Sequence, residues 1–587
     1  MSQGSLQPEI HRRRLFLGCF ISLISTAFGF VIRAQILEDW RTQFQLSESE
    51  IGNLLGAGLF PFAITIILFS LIVDRIGYGK TMVFAFVCHA GSAVITFCAP
   101  MMMTVDGNGV ITGGKEAGYA MLYIGTFVLA LGNGTVEAVI NPVVATIYEK
   151  NKTHWLNILH AGWPGGLVLG GVLALYSENF LGFLPGPDAG YAAWQWKVAL
   201  VLLPTIAYGL LLMGQKFPVQ ERVAAGISYM QMLKQFGALS CFIVSFLLVL
   251  GFDQIAGVIS AGGRFTHIPG LKGLVETLQG RGVPVFWAHW IVMAGVAAIP
   301  TLIFLVAVRA LGKAMFVFLL LVMVLLATTE LGVDSWISDI MSSVLENQEA
   351  GAWVLIYTSA IMFVLRFFAG PIVHRTSPLG LLAVCAGLAA AGLVWLSMVG
   401  TDLTMVFAAA TLYGIGKTFF WPTTLGVVAE QYPEGGTLLL NAIAGVGMIS
   451  VGVLGNPAIG ILLDHRYDER LAAANEELHA EYMVQDTGMI GEYLKFNGEK
   501  YGNLKREINT LDQKKKQGEQ LTADEETNLG EMKETKAVLD KERNIAKQNS
   551  LLWISVLPVI MLLCYLLLIF YFRSKGGYKP KEIATEA

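Results

Sequence analysis

The chain has 587 residues, of which 54% are hydrophobic and 14% charged, with a mean hydropathy of +0.59 and a formal net charge of −4. A water-soluble domain carries about 25% charged residues, so the composition excludes an ordinary soluble protein and points to lipid as the solvent. No segment is both basic and aromatic enough for nucleic acid, and no HExxH, P-loop, GxSxG or CxxC pattern marks an enzyme, a cofactor or a metal site.

A membrane-crossing helix needs about 20 mostly apolar residues. Such runs occur near 15–37, 50–73, 81–101, 118–148, 156–176 and 194–214, then near 238–261 and 285–310. They resume near 314–341, 351–373, 379–400, 403–430 and 437–463, and end near 551–572, about fourteen in all. Only helices satisfy their own backbone groups in lipid without strand partners, so an all-α integral membrane fold is expected. Alternate loops carry the basic residues: Arg12–Arg14, Asp74-Arg75 to Lys80, Lys150 with Lys152, Lys216 with Arg222, Arg309 with Lys313, His374-Arg375, and Arg573 to Lys581. One loop on the other side, 263–284, dissents with Arg264, Lys272 and Arg281. The bias places both termini in the cytoplasm of a plasma (bacterial inner) membrane. From 465 to 549 the chain is dense in Lys and Glu. By helix count it lies outside the cell, as one or two exposed charged helices forming a cap, a spacer or a partner-docking element.

Two stretches repeat one another. The first holds Gly132-Asn133-Gly134, Asn141-Pro142, Thr153 to Asn157, and Gly162. The second holds Gly414-Ile415-Gly416, Trp421-Pro422, Thr437 to Asn441, and Gly445. In each a GxG, a proline and a TxxLN come in the same order, as in transporters built from two similar halves around a midplane site. The expected units are a six-helix half (1–214), a linker with two extra spans (215–312), five helices of the second half (313–464), the charged insert (465–549), and the last span and tail (550–587).

The loop Asp74-Arg75-Ile76-Gly77-Tyr78-Gly79-Lys80 resembles the DRxGR(K/R) loop of the major facilitator superfamily. Several further pieces resemble its fucose permease branch of sugar–proton symporters: Glu137 to Asn141-Pro142, Leu156-Asn157, Glu330 to Asp334-Ser335-Trp336, Arg366 before Gly370, and Trp421-Pro422. The resemblance implies two six-helix halves with a central site, and a conformational latch at Asp74, Arg75, Gly77 and Lys80, to which Arg366 is added as a residue near a helix end. That branch keeps a carboxylate in its first span, where this chain reads Arg33-Ala34-Gln35.

A charge at the bilayer centre costs at least ~2.5–3.5 kcal/mol and so faces a cavity or a partner. Four spans carry one: Arg33, Glu137, Glu330 with Asp334, and Lys417. Glu137 and Glu330 are the candidates for proton coupling, with a fixed Glu137–Arg33 pair as the competing reading. Asn133, Asn141, Asn157 and Asn441 suit sugar hydroxyls, Trp163, Trp336 and Trp421 suit a pyranose face, and His160 suits either substrate or packing. Arg33, Asp334 and Lys417 complete the substrate-binding set. The expectation is a monomeric secondary transporter, without cofactor, moving a small polar solute with protons. An anion porter using Arg33 and Lys417, or a non-transporting membrane sensor, are the competing readings.

Overall fold

The computed structural model describes residues 11–44, 46, 54, 57–105, 111–177, 181–182, 184–185, 192–219, 221–259, 270–488, 491–516 and 520–582. Arg264, the first residues of the run expected at 50–73 and the tip of the loop 263–284 lie outside them. Thirteen described helical runs are long and apolar enough to cross a membrane. The helix Phe60–Ile76, with 17 described residues, supplies the remaining expected span.

The first half comprises α1 (Arg12–Gln43), α2 (Phe60–Ile76), α3 (Tyr78–Phe97), α4 (Lys115–Ile147), α5 (Lys152–His160) continuing as α6 (Gly162–Leu175), and α7 (Ala193–Ala199) followed by α8 (Leu202–Leu212). The inserted pair is α9 (Tyr229–Ile259) and α10 (Val285–Val308). The second half opens with α11 (Ala314–Ala327), a π-helical turn (Thr328–Gly332) and α12 (Val333–Val344). It continues with α13 (Gln348–Arg366), α14 (Ala369–Thr376), α15 (Pro378–Leu396), α16 (Leu403–Lys417), α17 (Phe420–Gln431) and α18 (Gly436–Ser450). A second π turn (Val451–Gly455) joins α18 to α19 (Asn456–Ala474), and α23 (Val556–Ser574) closes the bundle. One buried apolar cluster runs through both halves, from Leu15 and Val139 to Leu320 and Ile443. The outward faces stay apolar: Leu302, Ile303 and Val306 of α10 are exposed, which lipid tolerates and water does not.

The 465–549 segment departs from the expectation of one or two exposed charged helices. Its first helix is the unbroken end of α19. There follow α20 (Glu476–Tyr482), an antiparallel hairpin of Met483–Gly488 with Gly491–Phe496, α21 (Gly498–Lys516) and α22 (Ala523–Ile554), which runs on into α23. Tyr467, Leu471, Tyr482, Leu504, Ile508, Leu529 and Leu539 bury into a core of its own. These apolar residues are spread thinly among Lys and Glu at helical and strand spacing, so the segment reads as polar while still closing a core. A second short hairpin joins Thr104–Val105 to Ile111–Gly113. Both hairpins lie outside the apolar runs, so the spanning part is helical as expected.

The inserted pair enters the bundle through a tight backbone crossing. Gly237 (φ 70°) and Gly312 (φ 97°) both take left-handed conformations, and a Cβ on Gly237 would come within 2.0 Å of Gly312 N. Around them Ala238 N donates to Ala310 O, Leu239 N to Leu311 O and Lys313 N to Gln235 O, at 3.0, 3.2 and 3.3 Å. Gly237→Ala should lose this crossing at a cost of about 1–3 kcal/mol from overpacking, with left-handed strain added. Thermal unfolding in detergent measures it, and an unchanged midpoint would mean that the two backbones can separate freely.

Candidate functional site

A cavity of ≈30 Å³ lies between the halves, lined by Phe62, Glu137, His160 and Trp163 from the first and by Glu330, Arg366, Trp421 and Met448 from the second. It holds about two water molecules and is far smaller than a sugar ring. Proline positions its walls: Pro142 lies inside α4 one turn beyond Glu137, and Pro422 follows Trp421 at the start of α17. Glu330 sits at the centre of the π turn, a local widening common at functional sites.

On the first half, Asn141 Nδ2 donates to Glu137 Oε2 at 2.8 Å, and Asn141 Oδ1 lies 2.8 Å from His160 Nε2. With its nitrogen committed to the carboxylate, the amide turns its oxygen to the imidazole, which therefore presents Nε2–H. Glu137 is buried and enters no ion pair among the described residues. On the second half, Arg366 Nη2 donates to Glu330 Oε1 at 3.0 Å and Arg366 Nε to Thr418 O at 2.7 Å. Its Nη1 crosses to the first half, donating to His160 O at 2.5 Å. Trp421 N donates to Glu330 Oε2 at 3.2 Å. Arg366 was expected near a helix end as part of a latch. It does end α13, but α14 continues the span past a two-residue break at Phe367–Phe368, so the guanidinium falls in the interior beside the cavity.

Other sequence candidates go elsewhere. Arg33 does not meet Glu137. Its Nη2 donates to Ser92 Oγ at 2.7 Å and reaches Thr96 Oγ1 and Gly125 O at 3.3 Å, three turns of α4 away from Glu137. Asn133 faces His89 Nε2 at 3.0 Å, in a polar cluster with Ser25, Thr205 and Tyr208. Lys417, fully buried, is bonded to Asp334. Trp336 packs near Gly460. None of these lines the cavity. The sequence did not single out His89, Ser92 or Phe62. A lone His or Ser in an apolar run is the only signal, and it is common in packed helices.

Asn157 and Asn441, the paired members of the repeat, bind the halves reciprocally. Asn157 Nδ2 donates from α5 to Thr423 Oγ1 of α17 at 3.1 Å, and Asn441 Nδ2 from α18 to Ala138 O of α4 at 2.9 Å. On the basic face, Asp74 pairs with Arg222 at 2.5 Å and accepts from Thr437 at 3.4 Å. Gly77 (φ 90°) makes the turn between α2 and α3, Arg75 lies over the Tyr229 ring at 5.2 Å, and Lys80 is exposed. Thr153 Oγ1 donates to Glu430 Oε1 at 2.5 Å, while Tyr578 OH reaches Glu430 Oε2 at 2.8 Å. The halves are thus fastened from the basic face up to the cavity.

Two solved structures of a xylose transporter share this fold. The proton:xylose symporter XylE bound to 6-bromo-6-deoxy-D-glucose is 14% identical, with 79% of this chain and 90% of that chain covered at a TM-score of 0.54. A double-tryptophan variant of XylE is 12% identical over 80% and 90%, at 0.52. A variant of the E. coli fucose:proton symporter FucP is 15% identical over 76% and 92%, at 0.49. No family model and no curated protein sequence matches the chain. The fold is the major facilitator fold.

Removing one partner of a buried ion pair costs about 3–5 kcal/mol, whereas replacing both by apolar groups is near neutral. Arg366→Met should therefore destabilise the protein strongly, and Arg366→Met with Glu330→Met should recover much of the loss. Thermal unfolding of the three proteins checks this. Equal midpoints for the single and double variants would show that Arg366 acts through His160 O and Thr418 O instead.

Proposed function

We propose that this chain, with its major facilitator fold, is a secondary transporter that carries a small neutral polar solute, of the sugar class, together with protons. The halves would rock about the central cavity. The observation that carries the reading is the cavity's charge pattern. Two carboxylates and one guanidinium line it, and Glu137 has an amide as its side-chain partner rather than a cation. A carboxylate so placed can take a proton without breaking an ion pair, whereas Glu330 is held by Arg366. His160 and Asn141 orient Glu137, while Trp163 and Trp421 offer ring faces from opposite halves. The sugar class is also what the XylE structure of similar fold carries with a proton.

The cavity is smaller than such a solute, so loading requires the halves to part. Arg366–His160 O, Asn157–Thr423 and Asn441–Ala138 O are the bonds that parting would break or exchange. The Oδ1 atoms of Asn157 and Asn441 are buried without a partner in this arrangement, which leaves acceptors for another one. The distribution of Lys and Arg supports a cytoplasmic basic face, with the insert outside.

The anion reading rested on Arg33 and Lys417. One lies among hydroxyls and carbonyls away from the cavity, and the other is bonded to Asp334. Neither supports it.

In liposomes, Glu137→Gln should abolish uptake driven by a proton gradient yet retain solute exchange. Gradient-driven accumulation by that variant at the parent rate would refute the coupling role. Asp74→Asn removes the charge that pairs with Arg222 and one of the two acceptor oxygens that Arg222 and Thr437 share, and should shift the population towards an arrangement open on the basic face. Cysteine accessibility at positions lining the basic-face end of α5 reports it, and labelling no faster than in the parent counts against a latch.

A further inference from the structure

A cleft of ≈350 Å³ lies outside the bundle, where the insert meets the end of α12. It falls within the ~300–1,000 Å³ of small-molecule sites. Its walls are Ser342, Ser343 and Glu346 on one side and Asp540, Arg543, Asn544 and Lys547 on the other.

Most of the charge here is already committed. Lys547 Nζ pairs with Asp339 at 2.6 Å and donates to Ser343 Oγ at 3.1 Å. Asp540 pairs with Lys536 at 2.6 Å and accepts from Tyr501 OH at 2.5 Å. Two opposite charges remain. Arg543 stacks over the Phe496 ring at 5.1 Å, which occupies one guanidinium face and leaves its N–H edge, and it enters no ion pair among the described residues. Glu346 likewise enters none, and it occupies the left-handed region (φ 51°) just past α12, where glycine is the ordinary residue. The cleft therefore presents a carboxylate and a guanidinium from two different elements, neither held in an ion pair among the described residues, across a polar wall of hydroxyls and an amide.

We propose that this cleft is a second binding site, distinct from the central cavity, for a small zwitterion, with its ammonium on Glu346 and its carboxylate on Arg543. A neutral sugar would leave both charges unmatched, and an anion or a cation would leave one. The bidentate geometry of Arg with carboxylate favours the assignment of the ends.

Thermal unfolding and calorimetric titration of the full chain in detergent test it, with L-alanine as probe and acetate, ethylammonium and glycerol as single-charge and neutral controls. L-alanine should raise the midpoint, and the three controls should not. Glu346→Gln and Arg543→Gln should each weaken alanine binding by about tenfold or more, as loss of a charge-assisted hydrogen bond implies. Glu137→Gln, in the central cavity, should leave it intact. Three outcomes would overturn the proposal: no response to L-alanine, an equal response to acetate, or alanine binding that survives both cleft substitutions and disappears with Glu137→Gln. The controls need only the parent protein, so the test stands even if a cleft variant fails to fold.

Discussion

One guanidinium organises the centre of this molecule. Arg366 is almost fully buried and uses its three nitrogens on three elements: Glu330 in the π turn, Thr418 O beyond α16, and His160 O in the opposite half. A buried cation in a bundle made for lipid is tolerable only when it is paired and fully hydrogen-bonded. Meeting that demand sets where the α13–α14 break falls, which way the π turn faces, and how closely the halves approach. The planar fork of arginine suits a role in which donors point in several fixed directions.

Around that centre the repeat becomes a mechanical pattern. The TxxLN motif puts Asn157 and Asn441 at equivalent places in the two halves, and each reaches across to the other half. Thr153 and Thr437, at the head of the same motif, do likewise towards Glu430 and Asp74. Similar halves facing one another must make each such contact twice, so one motif fastens both sides of the interface. On the transport reading, polar bonds suit a contact that opens and closes, because each group can find a new partner after parting. An interlocked apolar core would resist parting.

The additions to the bundle are attached unequally. The inserted pair joins by the Gly237–Gly312 crossing and packs beside α18. The insert is continuous with α19 and α23 and is further tied by Lys547 to Asp339 and by Gln548 to the carbonyl of Leu396 at 3.3 Å. Two continuous helices and an ion pair to α12 thus join it to the second half.

The sequence alone was enough for the helices, because twenty apolar residues in a row have few other solutions in lipid, and the described part of each expected run is helical. It was also enough for the repeat and for singling out Glu137, Glu330, His160, Trp163 and Trp421, which line one cavity, since charged and aromatic residues in such runs need a reason to be there; their roles there belong to the proposal. Only the tertiary structure decided which of these share a cavity. Arg33 and Glu137 sit in neighbouring helices at depths that composition cannot order, and packing gave Arg33 to Ser92 and Thr96 and left Glu137 to Asn141. Lys417 and the repeat asparagines read the same way as the cavity residues in sequence, yet one is neutralised by Asp334 and the others hold the halves together. Periodicity reports which residues a helix buries, but the partner each one meets depends on helix rotation and depth, which are set by contacts hundreds of residues apart in the chain.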